Sequence, residues 1–494
     1  MKSQDAILER PSENIASFNS IIHGGYRLHI LFCALVSIIG VLEISPFIGI
    51  ADGFYRWWMA LEIVHTGAIQ SDTLLSPIIP YFQAVTYYFT KSFAIYTFIQ
   101  AFSFYLSVGL VVWIVVRDRS ISILKTRIYL WNIISCLIIL FPTVRIFPLL
   151  LTDSALTFVL ICCIFALLKN DAIPEMNRMF RAILLFFSVA LCIGIRINSI
   201  VFILLVLLVR IMVDLKQKKA RLLFNNIIIA GVIVGVMGPQ ILLPKVHNAS
   251  TLGMIWEMMD MVSESNDEEL ISALDEFGDV EKAMDRYGDP HLNALVWDDD
   301  PPFSAYQISG IYSKPVTNLY IKQMVYNTPL FLKTKAKFAL KTMGVTSPLL
   351  SSRWSVHRVD DLMISFGAEQ TPFQDYVRDI YFKTTDGIAF ISLRPYMAFL
   401  IAGTMALIRQ RRKQKYSDEL LIVGIAFAYY SSFLINTQSF DFRYFSPSFF
   451  LVFIVIACDI SLGIQKIKRI ICKKQAYTDI TKDTTQGTAG RDQT

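Results

Sequence analysis

Ten apolar blocks run through this chain: Ile30–Ile50, Phe93–Val116, Ile128–Val144, Pro148–Leu168, Ala182–Ile195, Ile200–Val213, Ile227–Leu243, Ile388–Ile408, Leu420–Ile435 and Ser446–Ile464. Each approaches the ~20 residues that carry a helix across a bilayer. Such blocks exclude a water-soluble globule. The chain of 494 residues is 54% hydrophobic and only 17% charged, against about 25% charged in soluble domains. The fold class expected is therefore an all-α polytopic membrane protein of about ten transmembrane helices.

Basic clusters follow every second block. They are Arg117/Arg119/Lys125/Arg127, Lys169/Arg178/Arg181, Arg210/Lys216/Lys218/Lys219/Arg221, Arg409/Arg411/Arg412/Lys413/Lys415 and Lys466/Lys468/Arg469/Lys473/Lys474. Lysine and arginine stay on the cytoplasmic side of spans. Ten spans with both termini cytoplasmic satisfy every cluster, in a chain expected in the cell inner membrane. The net charge of +6 is thus explained by topology and points to no nucleic-acid partner. The first block follows a polar lead with no cleavage pattern and reads as a retained helix. The short blocks at Ala182–Val213 read as a hairpin bent at "IRINS". The seven cysteines lie in apolar blocks or beside basic flanks and read as apolar filler.

This threading divides the chain into a cytoplasmic segment 1–29, a transmembrane core 30–243 with an outer loop 51–92, an extracytoplasmic domain 244–385, C-terminal spans 386–465 and a cytoplasmic tail 466–494. In the outer domain, "SNDEELISALDEFGD" reads as a helix capped by Asn266, with Glu269 completing a capping box and Gly278 ending it. "TNLYIKQMVYNTPLFLKTKAKFALKTMG" places lysines at helical spacing and reads as a stretch lying on the membrane with its lysines toward headgroups.

Charged residues near the membrane are costly and usually functional. Glu43, Asp52, Arg145, Asp153, Arg196, Arg394, Asp441 and Arg443 come from distant segments, yet all map to the outer ends of spans. Arginine binds phosphate through its planar fork. A carboxylate can take the proton of an attacking hydroxyl. A lipid phosphate lies at this depth. The pattern implies transfer from a lipid-phosphate donor to a hydroxyl acceptor on the outer face.

Five short motifs carry a family resemblance. They are "DGFYRWWMALEIVHTG" after the first span, with Asp52, Tyr55, Ala60, Ile63 and Gly67; "LLTDSALTFVLI", with Asp153; the turn holding Arg196 and Asn198; "DFRYFSP", with Arg443, Tyr444 and Pro447; and "YNTPLFLKTKAKF". In this order the chain resembles the GT-C superfamily of polyprenyl-phosphate-sugar-dependent glycosyltransferases, in the branch of the protein O-mannosyltransferases and the lipid A aminoarabinose transferases. The resemblance implies Asp52 as general base, Asp153 as a second catalytic acid, and a polyprenyl-phosphate-linked sugar as donor. Arg196, Arg443, Tyr55 and Tyr444 are the substrate-binding candidates it points to; Trp57, beside Trp58 at headgroup level, and Arg145 and Arg394, from the shared depth of the charged residues, join them as candidates. The first loop has a single acid at its aspartate and no protein-acceptor domain follows, so a bacterial surface or lipid-linked glycan is the acceptor expected.

Each residue also has a plainer reading. Asp52 and Asp153 could cap helices. The arginines could snorkel. His65 reads as interfacial, and His23 and His29 as inert. The acids of "WDDDPP" (Asp298, Asp299, Asp300) could hold a divalent cation, but acid runs before prolines are more often solvated turns, and no metal is assigned. A polysaccharide polymerase or ligase, and a lipid-linked glycan flippase or transporter, are the competing functions. The first does not need a base aspartate after span one, and the second is expected to show midplane charges and repeats.

Overall fold

An apolar segment inside a bilayer must pair its backbone groups internally, and a helix does so within one segment. The computed structural model places the apolar blocks in helices and describes residues 12–44, 51–71, 73–116, 120–123, 126–169, 176–216, 222–242, 247–287, 293–297, 300–349, 372–387, 394–413, 418–435 and 443–464. In chain order the first part comprises α1 (Ser12–Ile44), α2 (Ala51–Thr66), α3 (Ile78–Thr90), α4 (Phe93–Val116), α5 (Leu130–Leu140), α6 (Pro142–Leu150), α7 (Thr152–Leu168), α8 (Arg178–Ile195), α9 (Ser199–Lys216) and α10 (Leu222–Leu242). A short antiparallel hairpin, β1 (Ser120–Ile123) with β2 (Thr126–Tyr129), links α4 to α5, pairing Ser120 with Tyr129. It is the one departure from helix in an otherwise all-helical set of described elements.

Seven further helices follow: α11 (Ser250–Ser265), α12 (Glu268–Asp275), α13 (Val280–Arg286), α14 (Asn293–Val296), α15 (Ala305–Ser309), α16 (Ser313–Tyr326) and α17 (Thr328–Thr342). The chain then forms α18 (Pro372–Gly387), α19 (Pro395–Lys413), α20 (Asp418–Ile435) and α21 (Arg443–Ile464).

Among the described residues, five helices are long and apolar enough to cross a membrane: Tyr26–Glu43 in α1, then α4, α8, Phe224–Leu242 in α10, and α21. The pair α5 and α6, bent by 66°, would make a sixth as one broken span. The bend has a local cause. Phe141 is extended (ψ 126°) and Pro142, at the start of α6, has no N–H to continue the ladder. α7 and the Ser199–Leu208 part of α9 are apolar but shorter. α19 carries Arg409 and Arg411 near its end, and α20 opens on Asp418 and Glu419. The described residues of the predicted blocks are mostly helical, with Ile128 and Tyr129 in β2 and breaks at Phe141 and Leu151, but length and composition qualify five to six of the helices as spans.

The exposed side chains indicate where lipid lies. On α1, Leu28, Leu31, Leu35, Ile38 and Leu42 form one exposed apolar stripe, while Cys33, Val36 and Val41 face inward. Large exposed apolar faces of this kind need a non-aqueous partner. The interior is built around aromatics from four helices. The Phe147 and Phe450 ring centroids are 4.3 Å apart, those of Phe104 and Phe158 4.8 Å, and those of Phe104 and Phe450 5.4 Å. α8 and α10 approach closely because α10 offers glycines. A Cβ on Gly235 would lie 2.7 Å from the Ala190 carbonyl oxygen of α8. The predicted bend between α8 and α9 is present: Arg196 is extended, and Ser199 N–H donates to its carbonyl at 2.8 Å.

Two expectations for the segment 244–385 are corrected. The N-cap of α12 is Asp267, which accepts from the N–H groups of Glu269 (3.0 Å) and Leu270 (3.2 Å), while Asn266, with φ +49°, closes α11 instead. Glu269 pairs with Lys322 rather than completing a capping box. Three lysines of α17 also pair with acids of α11 instead of standing unpaired for headgroups. Lys333 binds Glu264 (2.5 Å), Lys335 binds Glu257 (2.7 Å) and Lys337 binds Asp260 (2.5 Å). Glu257 and Asp260 are buried on α11, and a buried carboxylate needs a countercharge. The end of α17 is tied to α19 and α20: Tyr430 donates its hydroxyl to the Thr342 carbonyl, and Tyr396 N–H donates to Met343 at 3.1 Å.

Candidate functional site

α2 opens with Asp52 in its first turn, where the helix dipole favours a negative charge. α7 likewise has Asp153 in its first turn. Arg196 sits in the turn where α8 ends, and Arg443 is the first residue of α21. Four helix termini that are far apart in sequence thus supply four charges, and the fold brings them together.

Arg443 Nη1 is 2.7 Å from Asp52 Oδ2. Arg196 donates to Asp153 Oδ2 from both Nε (2.9 Å) and Nη2 (2.6 Å), and Nη2 also reaches Ser154 Oγ at 2.8 Å. The two pairs are stitched together by Ser154, whose hydroxyl donates to the Arg443 carbonyl at 3.1 Å. Tyr444 lies under both guanidiniums, its ring centroid 5.4 Å from Arg196 and 5.0 Å from Arg443. Its hydroxyl accepts from Arg443 Nη2 at 3.2 Å. The ring face stabilises both cations by its quadrupole.

A third arginine belongs to the cluster. Arg56, on α2 one turn beyond Asp52, is 3% exposed, and its Nη2 lies 3.5 Å from Asp153 Oδ2. Three guanidiniums therefore meet two carboxylates. Tyr96 of α4 and Tyr429 of α20 complete the surroundings. Tyr96 is close enough to feel the charges of Arg56 and Asp153, and Tyr429 stands beside Arg196.

The two carboxylates are placed differently. The Asp153 side chain is 13% exposed and is shared by two guanidiniums. The Asp52 side chain is 37% exposed and pairs with one. Asp153 can orient arginines, whereas Asp52 can meet a group arriving from outside.

Of the remaining candidates, Tyr55 is exposed on α2. Trp57 is buried, its ring 4.6 Å from Phe93 and 5.5 Å from Tyr96, so it packs α2 onto α4 rather than facing an open sugar pocket. Trp58 donates from Nε1 to Glu62 at 3.0 Å. Glu62 also accepts from Ser71 Oγ at 3.0 Å and so fastens the loop after α2. Arg145 pairs with Glu43, and Arg394 donates to the Gly344 carbonyl at 3.2 Å. These contacts take both arginines to other partners, because nearer acceptors claim them. Among the described residues no group of three or more His, Cys, Asp or Glu could hold a metal ion. Asp300 pairs with Lys282; Asp298, Asp299 and Asp441 lie outside the described residues.

Sequence reasoning missed Arg56, Tyr96, Ser154 and Tyr429. Arg56 had a signal, as the lone cation inside the aromatic run "FYRWWMA" and four residues after an acid. The tyrosines sit in apolar blocks where nothing separates them from packing residues. No family model, curated protein or solved structure matches this chain.

Proposed function

We propose that this protein is a GT-C-type membrane glycosyltransferase with about ten spans and both termini cytoplasmic. It moves a sugar from a polyprenyl-phosphate-linked donor to a hydroxyl of an extracytoplasmic glycan acceptor. The observation that supports this best is the convergence of Asp52, Asp153, Arg196 and Arg443 from four helix termini into one ion-paired cluster. Structural ion pairs alone do not require acids and arginines to collect at the ends of helices, away from the apolar middle.

In the proposed reaction the acceptor hydroxyl approaches Asp52, the more open carboxylate. Its oxygen bonds to the anomeric carbon as the bond from that carbon to the phosphate oxygen breaks. The hydroxyl proton passes to Asp52, and the electron pair leaves with the phosphate. The charge growing on that phosphate meets fixed guanidiniums, the usual source of transition-state stabilisation. A phosphate that engages Arg443 would loosen its hold on Asp52 and make the carboxylate a better base. One base without a second nucleophile in reach of the same carbon favours inversion at that carbon.

The test is transfer in proteoliposomes containing the purified full-length chain. A polyprenyl-phosphate-linked sugar should be consumed and polyprenyl phosphate released, with sugar appearing on an added glycan acceptor. Consumption of only a pyrophosphate-linked oligosaccharide would assign the chain to the polymerases or ligases. Movement of the lipid between leaflets without cleavage would make it a flippase.

A further inference from the structure

The ion pairs leave part of the cluster unused. Among the described residues, Arg56 Nε and the Tyr96 hydroxyl are buried with no hydrogen-bond partner, and Arg196 Nη1 and the Tyr429 hydroxyl, buried beside each other, make no well-formed hydrogen bond. Arg56, Tyr96 and Tyr429 are 3%, 7% and 0% exposed, and the Arg196 side chain is 9% exposed. All four belong to the surroundings of Asp153. Arg56 and Arg196 both bind its Oδ2, Tyr96 lies within reach of the charges of Arg56 and Asp153, and Tyr429 lies beside Arg196. They come from four separate places in the fold: α2, α4, the turn after α8, and α20.

Buried donors without acceptors are rare in native proteins, because each forfeits its hydrogen bond to water. Four in the surroundings of Asp153, two of them on cations, indicate an acceptor group that belongs there. Charge gives its sign. Among the described residues, Arg56, Arg196 and Arg443 against Asp52 and Asp153 leave the cluster one positive charge in excess. Convergence from four helices gives its shape. A phosphoryl group has tetrahedrally arranged oxygens, each able to accept more than one hydrogen bond, and can be met from several sides. A hydroxyl is neutral, so it would leave the excess charge unanswered.

We infer that Arg56, Arg196, Tyr96 and Tyr429 form a buried phosphoryl-binding pocket, with Asp153 as the positioning residue that aims its two arginines. This rests on the glycosyltransferase reading for the identity of the lipid, but not for the chemistry of the pocket. It divides the cluster into two parts. The Asp52–Arg443 pair is the reacting edge, and the Asp153 side is the anion seat. Arg56, on the same helix as Asp52 and one turn away, would hold the phosphate at a fixed distance from the base.

The experiment measures ligand binding to the full-length protein in nanodiscs of zwitterionic lipid. The probes are a short-chain polyprenyl monophosphate, the matching polyprenol, and inorganic phosphate as competitor. Wild type should bind the monophosphate and ignore the polyprenol, and millimolar inorganic phosphate should displace the lipid if the headgroup alone is recognised. Arg56→Gln should weaken binding roughly 10- to 100-fold, the effect of losing a charged hydrogen bond. Tyr96→Phe and Tyr429→Phe should each weaken it about 3- to 10-fold, the effect of losing a neutral one. Each tyrosine change removes a single oxygen and tests the pocket even if Arg56→Gln does not fold. Arg178→Gln, at the other end of α8, should bind as wild type. Wild-type binding that is unchanged in both tyrosine variants overturns the pocket while leaving the transferase reading standing. A wild type that binds neither the lipid phosphate nor inorganic phosphate overturns both.

Discussion

Asp52 and Asp153 are chemically the same group, and their surroundings separate their roles. Asp52 is paired once, by Arg443, and stays more than a third exposed. Asp153 is shared by Arg196 and Arg56 in a mostly enclosed position. Replacing Asp52 with asparagine keeps the size and a hydrogen-bonding oxygen but removes the proton acceptor. General-base assistance is typically worth ~10²–10⁴ in rate, so Asp52→Asn should insert and fold normally and lose transfer on that scale in the proteoliposome assay. Transfer near the wild-type rate would reduce Asp52 to a dipole-favoured first-turn acid. Asp153→Asn has a different expected signature. It leaves two buried guanidiniums facing a neutral amide, and breaking a buried pair from one side costs about 3–5 kcal/mol. Its denaturation midpoint in detergent should drop clearly below that of Asp52→Asn. Equal stability of the two variants would show that Asp153 is not what holds the arginines. The acids and arginines at helix ends were legible in sequence because charge is conspicuous beside apolar blocks. Their pairing was not, since each ion pair of the cluster spans between 43 and 391 residues. Arg145 illustrates the limit: it has the same residue type at the same expected depth, yet Glu43 on α1 claims it.

Among the elements, helix α17 shows how local periodicity can be read correctly and assigned to the wrong environment. The lysine spacing is helical, as expected, but periodicity only says that the lysines share a face. It does not say whether that face meets lipid or protein. The acids that decide the matter lie on α11, some 70 residues earlier in the chain, and two of them are buried in an apolar run. The contact should be acid-sensitive. Hydrogen bonds from Lys333 and Lys337 hold Glu264 below its ordinary value of 4.5. A carboxylate depressed in the folded state stabilises that state fully above its unfolded pKa. The stabilisation is lost as pH falls through the lower folded value. The protection factor of the α17 amides, which divides out the pH dependence of intrinsic exchange, should therefore fall below pH 4.5 relative to neutral pH, and Glu264→Gln should blunt that fall. Identical acid profiles for the two proteins would remove Glu264 from the latch. The seam between α8 and α10 behaves differently, because it depends on space rather than charge. At Gly235 a side chain would run into backbone of α8 at Ala190, which cannot move aside as a flexible side-chain end can. Gly235→Val should lower the thermal midpoint, with overpacking typically costing about 1–3 kcal/mol. A midpoint unchanged within error would mean that the two helices can slide apart freely.

On the scale of the whole molecule, the polar cluster and the lipid-facing surface make one arrangement. α1 turns an unbroken stripe of leucine and isoleucine outward, and α10 does the same with Ile229, Ile233, Val234, Met237 and Ile241. The ionised residues collect at helix ends instead. A donor with a long apolar tail and a charged head would find a matching surface for each part along such helices. This requires the cluster to lie at the face opposite the basic flanks, a question of orientation that burial cannot answer and charge bias can. Lys169 and Arg178 bracket the α7–α8 connection, and Arg409 and Arg411 stand near the end of α19. Asp153 and Arg196 occupy the other ends of α7 and α8. If basic connections stay cytoplasmic, those other ends, and α12 beyond α10, must lie outside. Single cysteines at Glu268, exposed on α12, and at Tyr416, in the connection before α20, should then label from opposite sides in intact cells whose native cysteines have been replaced. Glu268→Cys should react with an impermeant maleimide added outside, and Tyr416→Cys only after the membrane is permeabilised. The reverse pattern would put the ion-paired cluster on the cytoplasmic face, where it could not serve an external glycan. Labelling of both sites from one side would mean that the chain between them does not cross the membrane an odd number of times, and α19, the one proposed span between them, would be the first segment to re-examine.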